Sequence, residues 1–94
     1  MTNKLLQLGQ VVATNRVAEL MSNDPDYAHR VTQSLLKHAK GDWGVVCAED
    51  ASLNDAALEK DDDRILSSYD IDPKTWIITE WDRSVTTVLL PEEY

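Results

Sequence analysis

Two runs of β-branched and aromatic residues dominate the C-terminal end of the chain, at residues 76–81 and 85–90. The tripeptide Asp82-Arg83-Ser84 separates them, and a polar connection this short predicts a β-hairpin. Residues 64–71 alternate apolar and polar side chains, which predicts a third strand that reaches the hairpin through a turn at residues 72–74. The pattern therefore predicts a three-stranded antiparallel meander in the last third of the chain.

Apolar residues in the first two thirds of the chain recur mainly at helical spacing. The pattern predicts one strand at residues 8–14 and three helices at residues 15–21, 25–39 and 53–60. Asp24 and Pro25 predict the start of the second helix, because Asp is a good N-cap and Pro lacks only an N–H that would be unpaired there. Gly41 is placed to end that helix, and Asp50 or Ser52 is predicted to begin the third one.

These elements predict an α+β fold, with three helices packed on one face of a small antiparallel sheet and residues 8–14 as an edge strand. The 94 residues predict a single domain, residues 1–94. There is no run of 18 apolar residues, and the N-terminus lacks the apolar stretch of a secretory signal.

The single cysteine, Cys47, is predicted to be a small buried residue in a short extended segment at 45–47. Since it has no disulfide partner, we expect a cytoplasmic protein.

The charge balance is strongly acidic. Nine Lys and Arg residues face seventeen Asp and Glu residues, for a net charge of −8. Such a surface repels nucleic acid phosphates, so direct nucleic acid binding is not expected. A basic protein surface would be attracted instead, including the surface of a protein that holds DNA or RNA. The simpler interpretation is that the acids only keep the protein soluble.

The tryptophans are candidates for both core and binding surface. Strand alternation places Trp76 and Trp81 on opposite faces of the sheet, so we expect one of them, but not both, to be deeply buried. The other face is covered by a helix or a second copy of the chain, or it binds a partner. The predicted binding residues are Trp43, Trp81, Asp82 and Arg83.

His38, at the end of the second predicted helix, is the main candidate for catalysis. Small ribonucleases of the barnase–colicin–RelE-like group combine a helical His with an Arg and a Ser or Thr from the sheet. In this chain the corresponding set is His38, with Arg64 or Arg83 and with Thr86 or Thr87. This analogy rests on element order alone. The alternative is that His38 caps the C-terminus of its helix. The spacing of His and Cys residues predicts no metal site, and no cofactor is expected.

Four segments carry a family resemblance: residues 8–14 (LGQVVAT), 36–44 (LKHAKGDWG), 64–69 (RILSSY) and 76–94 (WIITEWDRSVTTVLLPEEY). They resemble a family of small plasmid- and prophage-associated bacterial proteins that often carry the label of a type I restriction-modification methylase subunit. That label does not fit the residues. An adenine methylase has an Asn/Asp-Pro-Pro-aromatic motif, whereas the prolines here are isolated at Pro25, Pro73 and Pro91. The resemblance implies a mobile-element context, and we expect no binding of S-adenosylmethionine.

The sequence therefore predicts a small acidic mobile-element protein that binds a macromolecular partner with a basic surface. Interference with a host defence system, of the anti-restriction or anti-CRISPR type, is the most concrete form of this prediction. The partner would then be a nucleic-acid-binding defence complex. A ribonuclease-like enzyme is the alternative. The oligomeric state stays open, a homodimer included.

Overall fold

The computed structural model describes residues 4–94, and these form an α+β fold, as the sequence predicts. The elements are β1 (Gln10–Ala13), α1 (Asn15–Asn23), α2 (Pro25–Ala39), α3 (Ala48–Lys60), β2 (Ile65–Tyr69), β3 (Thr75–Thr79), β4 (Val85–Leu89) and a 3₁₀ turn at Pro91–Glu93. α1 packs against β4, α2 against β3 and α3 against β2. No helix within residues 4–94 is long and apolar enough to cross a membrane.

The sheet has the strand order β1-β4-β3-β2. β2, β3 and β4 form the predicted antiparallel meander, and β1 is an edge strand that pairs with β4 in parallel. Gly9 makes this parallel pairing possible. It has φ +63°, and a Cβ at this position would lie 2.4 Å from the carbonyl oxygens of Arg83 and Ser84. Any larger residue would push β1 away from β4.

Local capping signals position α1 and α2. The Thr14 hydroxyl accepts from the Val17 N–H at 3.3 Å, and the Asp24 carboxylate accepts from the N–H groups of Asp26 and Tyr27 at 3.1 and 3.2 Å. Such bonds satisfy donors that have no partner inside the helix. Gly41, with φ +87°, follows α2 as predicted.

The start of α3 differs from the prediction. The helix begins at Ala48, whereas Asp50 or Ser52 was expected to begin it. The expectation relied on a capping side chain, but the N-cap residue is Cys47, which makes no side-chain capping bond. Cys47 is also exposed, contrary to the prediction that it is buried. The segment at 45–47 is not a strand, although the neighbouring Gly44 forms a single bridge with Ser68.

Buried apolar side chains form two clusters on the helix side of the sheet. The larger cluster comprises Val17, Tyr27, Val31, Tyr69, Ile77, Val88 and Leu90, and the smaller one comprises Leu6, Trp43, Ala57 and Ile65. The smaller cluster lies between β2 and α3. The first cluster follows from the predicted periodicity, whereas the second depends on a tryptophan that the sequence places in a turn.

Candidate interaction surface

Trp43 is the buried tryptophan, and the prediction for Trp76 and Trp81 is wrong. Trp43 is 5% exposed, and its indole N–H donates to the Asp55 carboxylate at 2.9 Å. Trp76 is half-buried and packs edge-on against Tyr94, with 5.5 Å between the ring centroids. Trp81 is 65% exposed, because β3 ends at Thr79 and leaves it in the hairpin connection. Trp81 is therefore the tryptophan of the three that solvent, or a partner, reaches most fully.

His38 lies in the core with no exposed surface. Its Nδ1 is 2.5 Å from the Ser67 hydroxyl and its Nε2 is 2.9 Å from the Thr79 hydroxyl. Trp43 contacts the imidazole edge-on, with 5.7 Å between ring centroids. Burial lowers the pKa of His38 to about 4, because the charged form loses its hydration. His38 is therefore a neutral structural residue near pH 7, and its side chain bonds to the sheet instead of capping the end of α2.

The residues of the ribonuclease-like alternative do not come together. The Thr86 hydroxyl lies 2.7 Å from that of Thr79, on the helix side with His38, so strand alternation directs Thr87 to the opposite face. Arg64 lies outside the core, with its guanidinium carbon 5.3 Å from the Tyr94 ring centroid. His38 and Thr86 share the helix side, but both are fully buried, whereas Arg64 is exposed. The set therefore has no common position for a phosphodiester.

Arg83 makes the densest set of contacts of the predicted binding residues. Its backbone has φ +61°, and its guanidinium donates to main-chain carbonyls from two separate segments. The acceptors are Ala57 (2.8 Å), Asp62 (3.1 Å), Asp63 (2.6 Å), Glu80 (3.2 Å) and Trp81 (3.2 Å). Arg83 was predicted to be a binding residue. In the structure its guanidinium lies between the end of α3 and the hairpin connection, where it holds the two together.

The contacts of Arg83 bring two acidic segments to one place. We define the acidic corner as the turn after α3 and the adjoining hairpin connection: Asp61, Asp62, Asp63, Glu80, Trp81 and Asp82. Five of the six are exposed, and Glu80 is partly buried. The acidic corner therefore combines five carboxylates with one exposed indole on a surface that Arg83 holds in place.

Two carboxylates of the acidic corner, those of Asp61 and Asp82, have hydrogen-bond donors that favour their charged form. A hydrogen bond from Lys4, 2.7 Å away, lowers the pKa of Asp61. Hydrogen bonds from the side chain and N–H of Ser84 lower the pKa of Asp82. The charge is only partly neutralised. Within residues 4–94 the structure has two ion pairs, Lys4–Asp61 at 2.7 Å and Lys74–Asp70 at 3.6 Å, for seventeen acids.

The sequence predicted only part of this surface. Trp81 and Asp82 were expected to bind, and both are exposed in the structure. Trp43 was expected in the same set, but it is buried and its N–H is already bonded. The acidic turn at residues 61–63 was missed. Its charges are evident in the sequence, but its proximity to residue 83 depends on tertiary contacts.

Comparison with known proteins adds nothing to this geometry. No family model, curated protein or solved structure matches the chain.

Proposed function

We propose that this protein acts by binding a macromolecular partner that has a basic surface, and that the acidic corner is its binding site. The observation that carries the proposal is Arg83. Its guanidinium makes five hydrogen bonds to carbonyls and thereby fixes two acidic segments beside an exposed Trp81. A rigid site loses less conformational entropy when it binds than a flexible one does.

The side chains of the acidic corner suit Lys and Arg residues. Carboxylates attract cations at long range and speed association, an effect that salt weakens. An indole face binds guanidinium and ammonium groups through cation–π contacts, and Trp is enriched among the residues that dominate binding energies. Trp81 therefore is expected to supply most of the short-range affinity, while the acids supply orientation and rate.

For the partner, we propose a protein that itself holds nucleic acid, such as a restriction or CRISPR complex, encountered in the cytoplasm. Proteins of this kind present basic surfaces, and the net charge of −8 complements them. The resemblance to plasmid- and prophage-associated proteins favours a target among host defences. The buried position of His38 gives no support to the ribonuclease alternative.

Affinity capture from bacterial lysate with matched variants tests the proposal. The test variant combines Asp62→Asn, Glu80→Gln and Trp81→Ala; both acids were chosen because Arg83 bonds their main-chain carbonyls, which the substitutions keep. The control variant combines Asp70→Asn, Glu92→Gln and Leu36→Ala. It also loses two negative charges and one exposed apolar side chain, but at other places on the surface.

We expect wild type and the control variant to capture the same basic protein, and the test variant to bind it at least tenfold more weakly, about 1.4 kcal/mol. Raising the salt concentration from roughly 0.05 to roughly 0.3 M should weaken the wild-type complex, because the added ions screen the attraction between the acids and the basic partner. Equal capture by all three proteins would remove the acidic corner from consideration. Failure of wild type to capture any basic protein would refute the proposed function.

A further inference from the structure

Within the described part of the chain, the outer side of β1 presents main-chain groups that have no partner. On the inner side, the N–H groups of Gln10 and Thr14 donate to the carbonyls of Ser84 and Val88 at 3.0 and 3.1 Å. Successive residues of a strand direct their main-chain groups to opposite sides. The N–H and C=O groups of Val11 and Ala13 therefore point away from β4, on a side of β1 where the sheet of residues 4–94 has no further strand.

Apart from its short length of four residues, β1 lacks the usual protection of an edge strand within residues 4–94. Natural edges are very short, carry Lys or Pro, contain bulges, or are covered by other segments. β1 reads Gln-Val-Val-Ala, pairs with β4 in regular register, and has Val11 46% exposed. Such an edge is a template for another strand.

We propose that β1 pairs with β1 of a second copy of this chain, antiparallel and about a two-fold axis. In this register Val11 lies opposite Ala13 of the second copy, and Ala13 lies opposite its Val11. Each of these two pairs exchanges both hydrogen bonds, which makes four in all. Val12 meets its own counterpart on the axis, at the close spacing of a non-hydrogen-bonded pair. The two four-stranded sheets become one continuous sheet.

Charge distribution favours a second copy as the occupant. With a net charge of −8, two copies repel each other over most of their surfaces. β1 and the residues that flank it, from Leu5 to Asn15, carry no charged side chain. This neutral segment is where two copies approach at the lowest electrostatic cost, and its uncharged valines match an equally uncharged strand. The pairing is isologous, the commonest arrangement of homodimers.

The interface is small, so the dimer is weak. One pair of four-residue strands buries far less than the roughly 1,200–2,000 Å² of a standard interface. We expect a dissociation constant on the order of 10–100 μM, near −6 kcal/mol. Because screening reduces the repulsion between acidic copies, added salt should strengthen the dimer. Salt should weaken the proposed complex with a basic partner, so the two associations respond to salt in opposite directions.

Sedimentation equilibrium from about 5 μM to 1 mM tests the proposal, a range that spans the expected dissociation constant. Val11→Lys and Ala13→Lys each add a charge at the outer edge of β1. Val45→Lys is the matched control, because Val45 is 53% exposed and lies beside the opposite edge of the sheet. We expect wild type and Val45→Lys to dimerise and both β1 variants to stay monomeric, with the circular dichroism of all four proteins unchanged.

Three outcomes would overturn the proposal: a monomeric wild type at 1 mM, a β1 variant that dimerises like wild type, or equal disruption by Val45→Lys. A wild-type monomer that instead binds an extended peptide along β1 would assign the edge to a different occupant, and the proposal would fail as well. The test variant of the acidic corner, Asp62→Asn with Glu80→Gln and Trp81→Ala, should dimerise at least as well as wild type. This result and the test of function are therefore independent.

Discussion

The two edges of the sheet differ in whether other segments satisfy their outward main-chain groups. At the β2 edge, the Val45 N–H donates to the Ser68 carbonyl at 2.8 Å and the Ser68 N–H donates to the Trp43 carbonyl at 3.1 Å. The Asn54 amide of α3 donates to the Leu66 carbonyl at 2.8 Å, so three main-chain groups of β2 are satisfied. At the β1 edge, the outward groups of Val11 and Ala13 meet no strand of the described chain.

This difference separates the charged and neutral parts of the surface. The cover of β2 includes α3, which bears Glu49, Asp50, Asp55 and Glu59 and leads into the acidic corner. β1 and its flanks bear no charge. One sheet therefore offers a closed acidic edge, suited to a basic partner, and an open neutral edge, suited to a second copy. A cover or a charge commonly protects an edge strand, and within residues 4–94 the four-residue β1 has neither.

The largest expected effect comes from removing the cover of β2. A Cβ on Gly44 would lie 1.9 Å from the Ser68 carbonyl oxygen, and the residue has φ +76°. Gly44→Ala should therefore displace residues 43–45 and lower the free energy of unfolding by about 3 kcal/mol or more, with increased aggregation, as measured by urea unfolding and light scattering.

Gly41→Ala is the matched control. Gly41 has a similar φ of +87°, but a Cβ there would meet nothing closer than 3.7 Å. This variant should show only the left-handed backbone cost of about 1 kcal/mol. Equal destabilisation by the two substitutions would mean that the cover of β2 contributes little.

Acidification should lower the free energy of unfolding by a somewhat smaller amount, because the buried His38 bonds to Ser67 of β2 on the helix side of the sheet. Burial lowers the pKa of His38 from 6.5 to about 4, so between these values the unfolded chain binds more protons than the folded one. The stability that neutral His38 provides is complete above pH 6.5 and is lost as the pH falls toward 4. The loss should reach about 3 kcal/mol.

Urea unfolding of wild type and His38→Gln from pH 7.5 to pH 4.5 measures this effect. This pH range includes the pKa of roughly 6.5 that a histidine has in an unfolded chain. The variant is less stable throughout, but its stability should change little across the window, since it lacks the titrating group. A wild-type slope that persists in the variant would assign the pH dependence to other residues.

The third effect concerns the contact between the covered edge and the hairpin. Arg83→Ala removes five hydrogen bonds from a charged donor to carbonyls at the end of α3 and in the connection. Because the group is partly exposed, we expect a loss of about 2 kcal/mol in the free energy of unfolding. Arg64→Ala is the control, since Arg64 is exposed beside Tyr94 and should cost less than about 1 kcal/mol. Equal losses would show that the carbonyl contacts of Arg83 contribute no special stability.

The smallest effect involves no change of sequence. Amide hydrogen exchange at low protein concentration should be fast for Val11 and Ala13 and slow for Ser68 and Val45, whose N–H groups are bonded at the covered edge. If the dimer forms, protection of Val11 and Ala13 should rise with protein concentration while that of Ser68 stays constant. Strong protection of Val11 in a dilute sample would contradict the open edge.

The fold was predictable where local chemistry decides it. The hairpin, the start of α2 at Asp24 and Pro25, and the glycine that follows it at Gly41 all depend on neighbours in sequence, and all are present. The start of α3 was not predictable in the same way, because Cys47 gives no capping signal. Packing against β2 positions this helix more than its own sequence does.

The candidate site was only half predictable for a related reason. Exposure of Trp81 follows from the end of β3 at Thr79, a boundary that shifts by one or two residues without changing the pattern. Contact of Arg83 with Ala57 joins residues 26 apart in sequence, and no local pattern encodes it. Burial of Trp43 likewise required α3 to be placed first.

The hydroxyl contacts of His38 have a further consequence for the positions of the protons. Thr86 donates its hydroxyl proton to the Leu8 carbonyl at 2.7 Å, so it accepts from Thr79, and Thr79 in turn accepts from Nε2 of His38. Neutral His38 must therefore be the Nε2–H tautomer, with Nδ1 accepting from Ser67. One carbonyl before β1 thus sets the orientation of every proton in a row that crosses the sheet to β2. Protonating Nδ1 would require Ser67 to reverse its role, and nitrogen NMR of the imidazole can detect both states.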